Sequence, residues 1–409
     1  MIVVDSLHCS FCGKGKDEVA KLLSGNESVF ICDGCVDLSY TILEKERKQK
    51  NEASKKARLR KTYRTLPPKE IHEYLNKHII GQENVKKGVS VAVYNHCKRI
   101  FNNTKVPVQK SNVLLLGPTG VGKTLIAQTL ASCLDVPFVI TDATTLTESG
   151  YAGDDAEVLI HKLFQNSDYD TVKSEIGIIY VDEIDKKARR NDMVSLSRDV
   201  SGEGVQQSLL KLMEGTIIKV PNKPGSQPEM VEIDTTNILF VVGGAFVGLK
   251  DMVTRRLGKT KIGFADDDTA NKIDNWEQFL ETDDLIQYGL IPEFLGRLPS
   301  INNLHELSKE DLLRVLTEPQ NSIIKQMQAL FLLDKIDLEF NMKALQAIVD
   351  IAVKQNLGAR GLRKIIESSL IDIQYELPDL AAKGVKSIIV GPETIIDRKM
   401  PHMIKGSKT

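Results

Sequence analysis

The strongest chemical signal in this sequence is the run Gly117, Pro118, Thr119, Gly120, Val121, Gly122, Lys123 and Thr124, followed by Leu125 and a helix-forming stretch. The pattern G-x-x-x-x-G-K-T suits a polyphosphate. Its glycines let successive backbone N–H groups turn inward, and the helix that follows directs its positive end at the same point. Lys123 can reach the β- and γ-phosphates, and the Thr124 hydroxyl can ligate Mg²⁺. Such a loop binds ATP with Mg²⁺ and places it for hydrolysis.

A second pair of groups supplies the rest of that reaction. Residues 178–185 read IIYVDEID, an apolar strand ending in adjacent carboxylates. Asp182 at the strand end is placed to hold Mg²⁺, and Glu183 to polarise the attacking water as general base. Two arginines stand further along, Arg297 in GLIPEFLGRLP and Arg360 in LGARGLR. An arginine from another subunit can neutralise charge developing on the γ-phosphate, and one on a mobile lid can sense that phosphate. Alone, either arginine reads better as a surface salt bridge; the surrounding motifs favour the functional reading.

A different chemistry sits at the N-terminus. Cys9-x-x-Cys12 and Cys32-x-x-Cys35 are separated by 19 residues, the spacing of a four-thiolate structural zinc site without an open catalytic position. His8 beside the first cysteine is read as a bystander, and Cys97 and Cys133 as small core residues. So short a unit cannot bury enough core alone, so metal is expected to be required for its fold.

These side chains must be carried by ordered elements. Short apolar runs at 112–116, 138–141, 176–181 and 237–242 read as buried strands, with amphipathic stretches at 124–134 and 205–214 between them. Continuous apolar strands separated by helices indicate an α/β fold with a parallel sheet covered on both faces. Beyond about residue 298 the pattern is mostly helical, at 309–333 and 341–355, with one late strand candidate at 387–390. The expected organisation is a zinc-binding module over 1–45 and a charged linker over 46–65. A large ATPase domain over 66–300 and a smaller, mostly helical domain over 301–409 complete it.

Composition narrows the setting. The 409 residues are 42% hydrophobic and 27% charged, with a net charge of −1, which disfavours a chain built to coat nucleic acid or an acidic membrane. No apolar run reaches the ~18–20 residues that span a bilayer. With no secretory signal at the first residues, a cytoplasmic location is the default expectation.

Taken together, the phosphate loop, IIYVDEID, GLIPEFLGRLP and LGARGLR resemble the AAA+ ATPases, and the upstream cysteine pairs narrow the likeness to the Clp unfoldase branch. The resemblance covers essentially the whole chain. It implies a parallel-sheet P-loop domain, a small helical domain, and a homohexameric ring that unfolds tagged proteins and threads them into a ClpP-type peptidase. It implies that Arg297 acts across a subunit interface and that Arg360 senses nucleotide. Tyr151 and Ala152, within GYAG at 150–153, resemble the aromatic pore loop that grips polypeptide, and RDVSGEG at 198–204 resembles the second pore loop. Ile262, Gly263 and Phe264 are similar to the peptidase-docking loop. The zinc module would dimerise and receive adaptors.

Two departures stand out. The family's basic entrance loop corresponds to VPNKPGSQPEM at 220–230, where Lys223 is the only cation. That weakens attraction for a tag ending in a carboxylate. The strand expected to carry a phosphate-sensing side chain ends in Val242-Gly243-Gly244, so no sensor is assigned there. Two other functions remain open: a zinc-finger ATPase acting on nucleic acid through the charged run 44–64, and a remodelling chaperone without a peptidase.

Overall fold

The computed structural model describes residues 7–26, 29–43, 46–47, 54, 63, 65–101, 106, 108–146, 154–188, 201–222, 230–259, 276–355 and 357–405. Contacts divide the chain into two units, 1–64 and 65–409.

In the first unit a short antiparallel hairpin pairs β1 (Leu22–Ser24) with β2 (Phe30–Cys32), Leu22 lying opposite Cys32. The Ser10 N–H donates to the Phe30 carbonyl at 2.8 Å, which ties the first cysteine knuckle to the hairpin. Gly13 has φ of +78°, a left-handed conformation that a glycine adopts without strain immediately after Cys12.

The second unit is built on a five-stranded, wholly parallel sheet. Two helices precede it, α1 (Pro68–Asn76) and α2 (Glu83–Phe101). Next come β3 (Val113–Leu116), α3 (Lys123–Leu134), β4 (Phe138–Asp142), α4 (Asp154–Asn166) and β5 (Ile178–Asp182). Helix α5 (Ser201–Glu214) leads into a two-stranded antiparallel ribbon, β6 (Ile217–Pro221) with β7 (Met230–Asp234), and then β8 (Leu239–Gly244). A short helix α6 (Pro292–Gly296) and β9 (Ser300–Asn303) close the layer. The strand order is β4-β5-β8-β3-β9.

Every residue of β3 and β8 is buried, as a sheet covered on both faces requires. One core cluster runs from Leu114 and Val181 through Leu209 and Phe240 to Phe294. Register puts Asp142 beside Asp182 and Leu116 beside Gly244, so the strands end together along one edge. In open parallel sheets ligands bind at that edge.

Strand β9 pairs with β3 along its whole length, Val113 opposite Ser300 and Leu116 opposite Asn303. The sheet therefore runs past residue 300, and a division drawn there cuts into its edge strand.

After β9 come α7 (Lys309–Thr317), α8 (Ile323–Leu333), β10 (Asp337–Phe340), α9 (Met342–Lys354), α10 (Gly358–Ala382), β11 (Val385–Val390) and β12 (His402–Lys405). The helical stretch anticipated over 309–333 is two helices. Pro319 follows the end of α7, and Ser322 caps α8 by accepting from the Lys325 N–H. These elements enclose their own core around Leu316, Phe331, Ile348, Leu362 and Ile388. Their sheet, β10-β11-β12, adds two strands to the single one expected from the sequence.

Candidate nucleotide site and metal centre

The loop from Gly117 to Gly122 joins β3 to α3 and takes its shape from three glycines. Gly117, Gly120 and Gly122 have φ of +142°, +88° and +102°. At Gly117 a Cβ would also lie 2.4 Å from the Leu304 carbonyl oxygen, so both conformation and space demand glycine. Gly122 caps α3 without a side-chain hydrogen bond, which leaves the first N–H groups of the helix free for an anion.

Lys123 is nearly buried. Its Nζ donates to the carbonyls of Gly117 at 2.6 Å and Pro118 at 2.8 Å. Burial lowers its pKa, while Asp182 and Asp185 act in the opposite sense and favour the ammonium. The next residue reaches across the sheet: Thr124 Oγ1 donates to Asp182 Oδ2 at 3.0 Å. The other oxygen, Oδ1, accepts from the Glu183 N–H at 2.9 Å. A hydroxyl and a carboxylate in contact at the mouth of the loop are hard oxygen donors suited to Mg²⁺.

Glu183 sits in the left-handed region at φ 58°, ψ 33°, where the strand gives way to a 3₁₀ turn, Ile184–Lys187. Its carboxylate forms an ion pair with Lys186 one turn on. Asp185 turns the other way and accepts from the Ala245 N–H at 3.0 Å, pinning the end of β8.

The residue two positions before the metal-ligand candidate explains the missing sensor. Tyr180 is fully buried, and its hydroxyl has no hydrogen-bond partner among the described residues. A Cβ on Gly243 would lie 2.2 Å from that hydroxyl oxygen. No side chain fits at the end of β8, and the residues of that segment that line the cleft are Ala245 and Val247.

Together these groups border a cleft of about 590 Å³. Its far wall comes from the C-terminal elements, Ile323 of α8 with Ala359, Arg360 and Arg363 of α10. Backbone glycines make the join: a Cβ on Gly358 (φ +56°) would meet the Thr119 carbonyl oxygen at 3.4 Å, and one on Gly120 the Leu357 carbonyl oxygen at 3.5 Å. The structure thus gathers Gly120, Gly122, Lys123, Thr124, Leu125, Asp182, Glu183 and Arg360 around one cavity. Arg363 and Lys186 belong to the same lining and were not singled out from the sequence. The repeat of arginine three residues apart in GARGLR, one helical turn, was the available signal for Arg363.

Arg297 is not among the lining residues of this cleft. It follows α6 and is half-exposed, and its Nε and Nη2 donate to Glu214 Oε1 at 3.1 and 2.7 Å. Tyr151, Ala152, Ile262, Gly263 and Phe264 lie outside the described residues, as do residues 198–200 and Lys223.

In the N-terminal unit the four sulfur atoms of Cys9, Cys12, Cys32 and Cys35 lie within 4.8 Å of one another. Cys12 Sγ and Cys32 Sγ are 3.6 Å apart. Tetrahedral zinc with bonds of about 2.3 Å sets its sulfurs about 3.8 Å apart, so the cluster fits that ion. Burial pushes the Cys9 thiol up, but N–H donors of Cys12, Cys32 and Phe11 prevail and bring it down to about 6. Contact with Cys12 and Cys32 pushes Cys35 up to about 12. Four thiols so close cannot all ionise without a cation. His8 is not in the cluster.

Comparison with known families agrees with this division of labour. Residues 7–45 match the ClpX C4-type zinc finger, residues 108–301 the AAA domain (Cdc48 subfamily), and residues 307–378 the C-terminal D2-small domain of ClpB protein. The chain is 47% identical over 411 residues to a protein of Treponema denticola described as the ATP-dependent Clp protease ATP-binding subunit ClpX. That alignment covers 98% of this chain and 96% of the relative.

Proposed function

The chain belongs to the ClpX family of AAA+ ATPases, and we propose that it is the unfolding motor of a Clp protease, hydrolysing ATP to pull tagged proteins into a ClpP-type peptidase. The observation that carries this reading is the 3.0 Å contact between Thr124 and Asp182 at the end of a glycine loop. It joins the phosphate-binding and metal-binding halves of one hydrolytic site.

The phosphates of ATP are cradled by the N–H groups between Gly117 and Leu125, with Lys123 turning from the loop carbonyls to the β- and γ-phosphates. Thr124 and Asp182 would hold Mg²⁺, which would neutralise charge on the phosphates. Glu183 accepts a proton as a water oxygen attacks the γ-phosphorus and the bond to the β–γ bridging oxygen breaks, yielding ADP and phosphate. Arg360, on α10 at the cleft, reports the γ-phosphate to the C-terminal elements. Arg297 is not among the residues lining its own cleft, in keeping with service to the next protomer of a homohexamer.

Because β9 belongs to the large sheet, we place the division between large and small ATPase domains after Asn303. In this reading Tyr151 and Ala152 grip the substrate, and Ile262-Gly263-Phe264 docks the peptidase. The thiolate zinc centre supports a module for adaptors. The decisive experiment combines the protein, ATP, a folded tagged substrate and a ClpP-type peptidase. ATP-dependent degradation is expected, and hydrolysis without any loss of substrate would refute the proteolytic role.

A further inference from the structure

Arg297 is held at three points, and two of them converge on helix α5. Its side chain is bound by Glu214, the last residue of that helix. Its carbonyl accepts from Asn112 Nδ2 at 2.9 Å, and Asn112 Oδ1 in turn accepts from the Phe240 N–H of β8. The segment leading to it is fixed from α5 as well. Gln206 is wholly buried, and its Oε1 accepts from the Ile291 N–H at 2.8 Å, at the start of α6. The same amide's Nε2 donates to the Lys187 carbonyl at 2.8 Å, in the turn that begins at Glu183. Gly202 closes the joint, since a Cβ there would lie 2.6 Å from that Lys187 oxygen.

We propose that α5 is a strut tying the turn after Glu183 to Arg297, with Gln206 and Glu214 as positioning residues, so that each protomer's hydrolytic turn aims the guanidinium it offers to its neighbour. This rests on the trans role of Arg297 proposed above. Three physical features favour alignment of the arginine over its sequestration. Both hydrogen bonds to Glu214 use Nε and Nη2, which leaves the N–H groups of Nη1 for a second acceptor. A carboxylate at a helix C-terminus opposes the helix dipole, so Glu214 is better placed with a cation beside it than without one. Gln206 and Glu214 lie about 12 Å apart along a continuous helix, and a helix transmits displacement over that length without bending sharply. A shift of the Lys187 turn therefore moves both ends of the arginine's support together.

Mixed rings test the strut. Subunits carrying Glu183→Gln cannot hydrolyse ATP but still present Arg297, so wild-type turnover in mixtures reads the arginine they offer. Three kinds of dead subunit are compared at equal ratio: Glu183→Gln alone, with Arg297→Ala, and with Glu214→Ala. Sedimentation confirms that each enters rings equally. Arg297→Ala should lower wild-type kcat most. Glu214→Ala should lower it about two- to five-fold against Glu183→Gln alone, the scale of an exposed ion pair, with KM for ATP unchanged. Glu214→Asp should recover part of that loss, and Gln206→Leu should act in the same direction as Glu214→Ala. If Arg297→Ala lowers turnover while Glu214→Ala and Gln206→Leu match Glu183→Gln alone, the strut is wrong and the trans arginine stands. If Arg297→Ala itself has no effect, the trans role fails and the strut falls with it.

Discussion

Glu183 combines two features that a general base needs. It directly follows a buried strand, which fixes its position, and it takes a left-handed conformation with its side chain at the cleft. Its partner Lys186 is an exposed lysine one turn away, an ion pair that a bound nucleotide can displace at small cost. Replacing the carboxylate by an amide keeps the shape and removes the basicity. Glu183→Gln should bind ATP normally and lose about 10²- to 10⁴-fold in turnover, checked by equilibrium nucleotide binding beside steady-state hydrolysis. Near-normal turnover would remove Glu183 from the base role. At this scale the sequence was most legible where chemistry is local. Gly117 to Thr124 and the Asp182–Glu183 pair are contiguous, and their spacing alone implies a loop and a strand end. Glu214 and Gln206 gave no signal, because they meet residues 83 and 85 positions away through the fold.

Among the elements, β8 shows how a strand end is set by its neighbour. Tyr180 on β5 occupies the space beside Gly243, and its hydroxyl is buried without a partner among the described residues. Gly243→Ala would force a methyl into that ring and should destabilise the fold by about 1–3 kcal/mol, read as a lower urea midpoint. Adding Tyr180→Phe removes the nearest atom and should restore part of the loss. The opposite end of the same strand carries a second dependence. His96 Nε2 lies 3.1 Å from the Asn237 carbonyl, and burial, with Arg99 and Lys110 nearby, lowers its pKa to about 3. The unfolded chain, near the ordinary value of 6.5, binds that proton more readily, so stability from this group is complete above pH 6.5 and falls as pH drops toward 3. His96→Gln should flatten the fall of the thermal midpoint over that window, and an unchanged slope would assign the acid sensitivity elsewhere. Legibility at this scale followed burial. The apolar runs of β3, β4, β5 and β8 announced a covered parallel sheet. Strand β9 reads SINN, and its mostly polar residues become a strand only because β3 offers an open edge. Likewise the periodicity of 309–333 concealed a break that Pro319 and the Ser322 cap define.

The whole chain joins two units with different sources of order, one with a thiol cluster and the other with extensive apolar cores, among them one at the large sheet and one among the C-terminal elements. The cleft is lined both by the loop and strand ends of the large sheet and by α8 and α10 of the C-terminal elements, and in the proposed function its closing on ATP reorients one set against the other. In the proposed function, that arrangement converts a phosphate contact at Arg360, which lines the cleft, into the pull on a polypeptide. If the movement acts through a pore and delivers to a peptidase, three functions should separate by mutation. Tyr151→Ala should hydrolyse ATP yet fail to unfold a stable tagged substrate, because the grip is lost while the cleft is intact. Phe264→Ala should hydrolyse ATP and unfold the same substrate, yet release it undegraded when the peptidase is present. An apolar anchor buried at such an interface is worth about 2 kcal/mol or more, so peptidase affinity should fall by at least about thirty-fold. Unfolding followed by fluorescence and degradation followed by peptide release distinguish the two variants in one reaction. Parallel loss of both signals in Phe264→Ala would place that side chain in the motor, and full degradation by Phe264→Ala would remove it from the docking role.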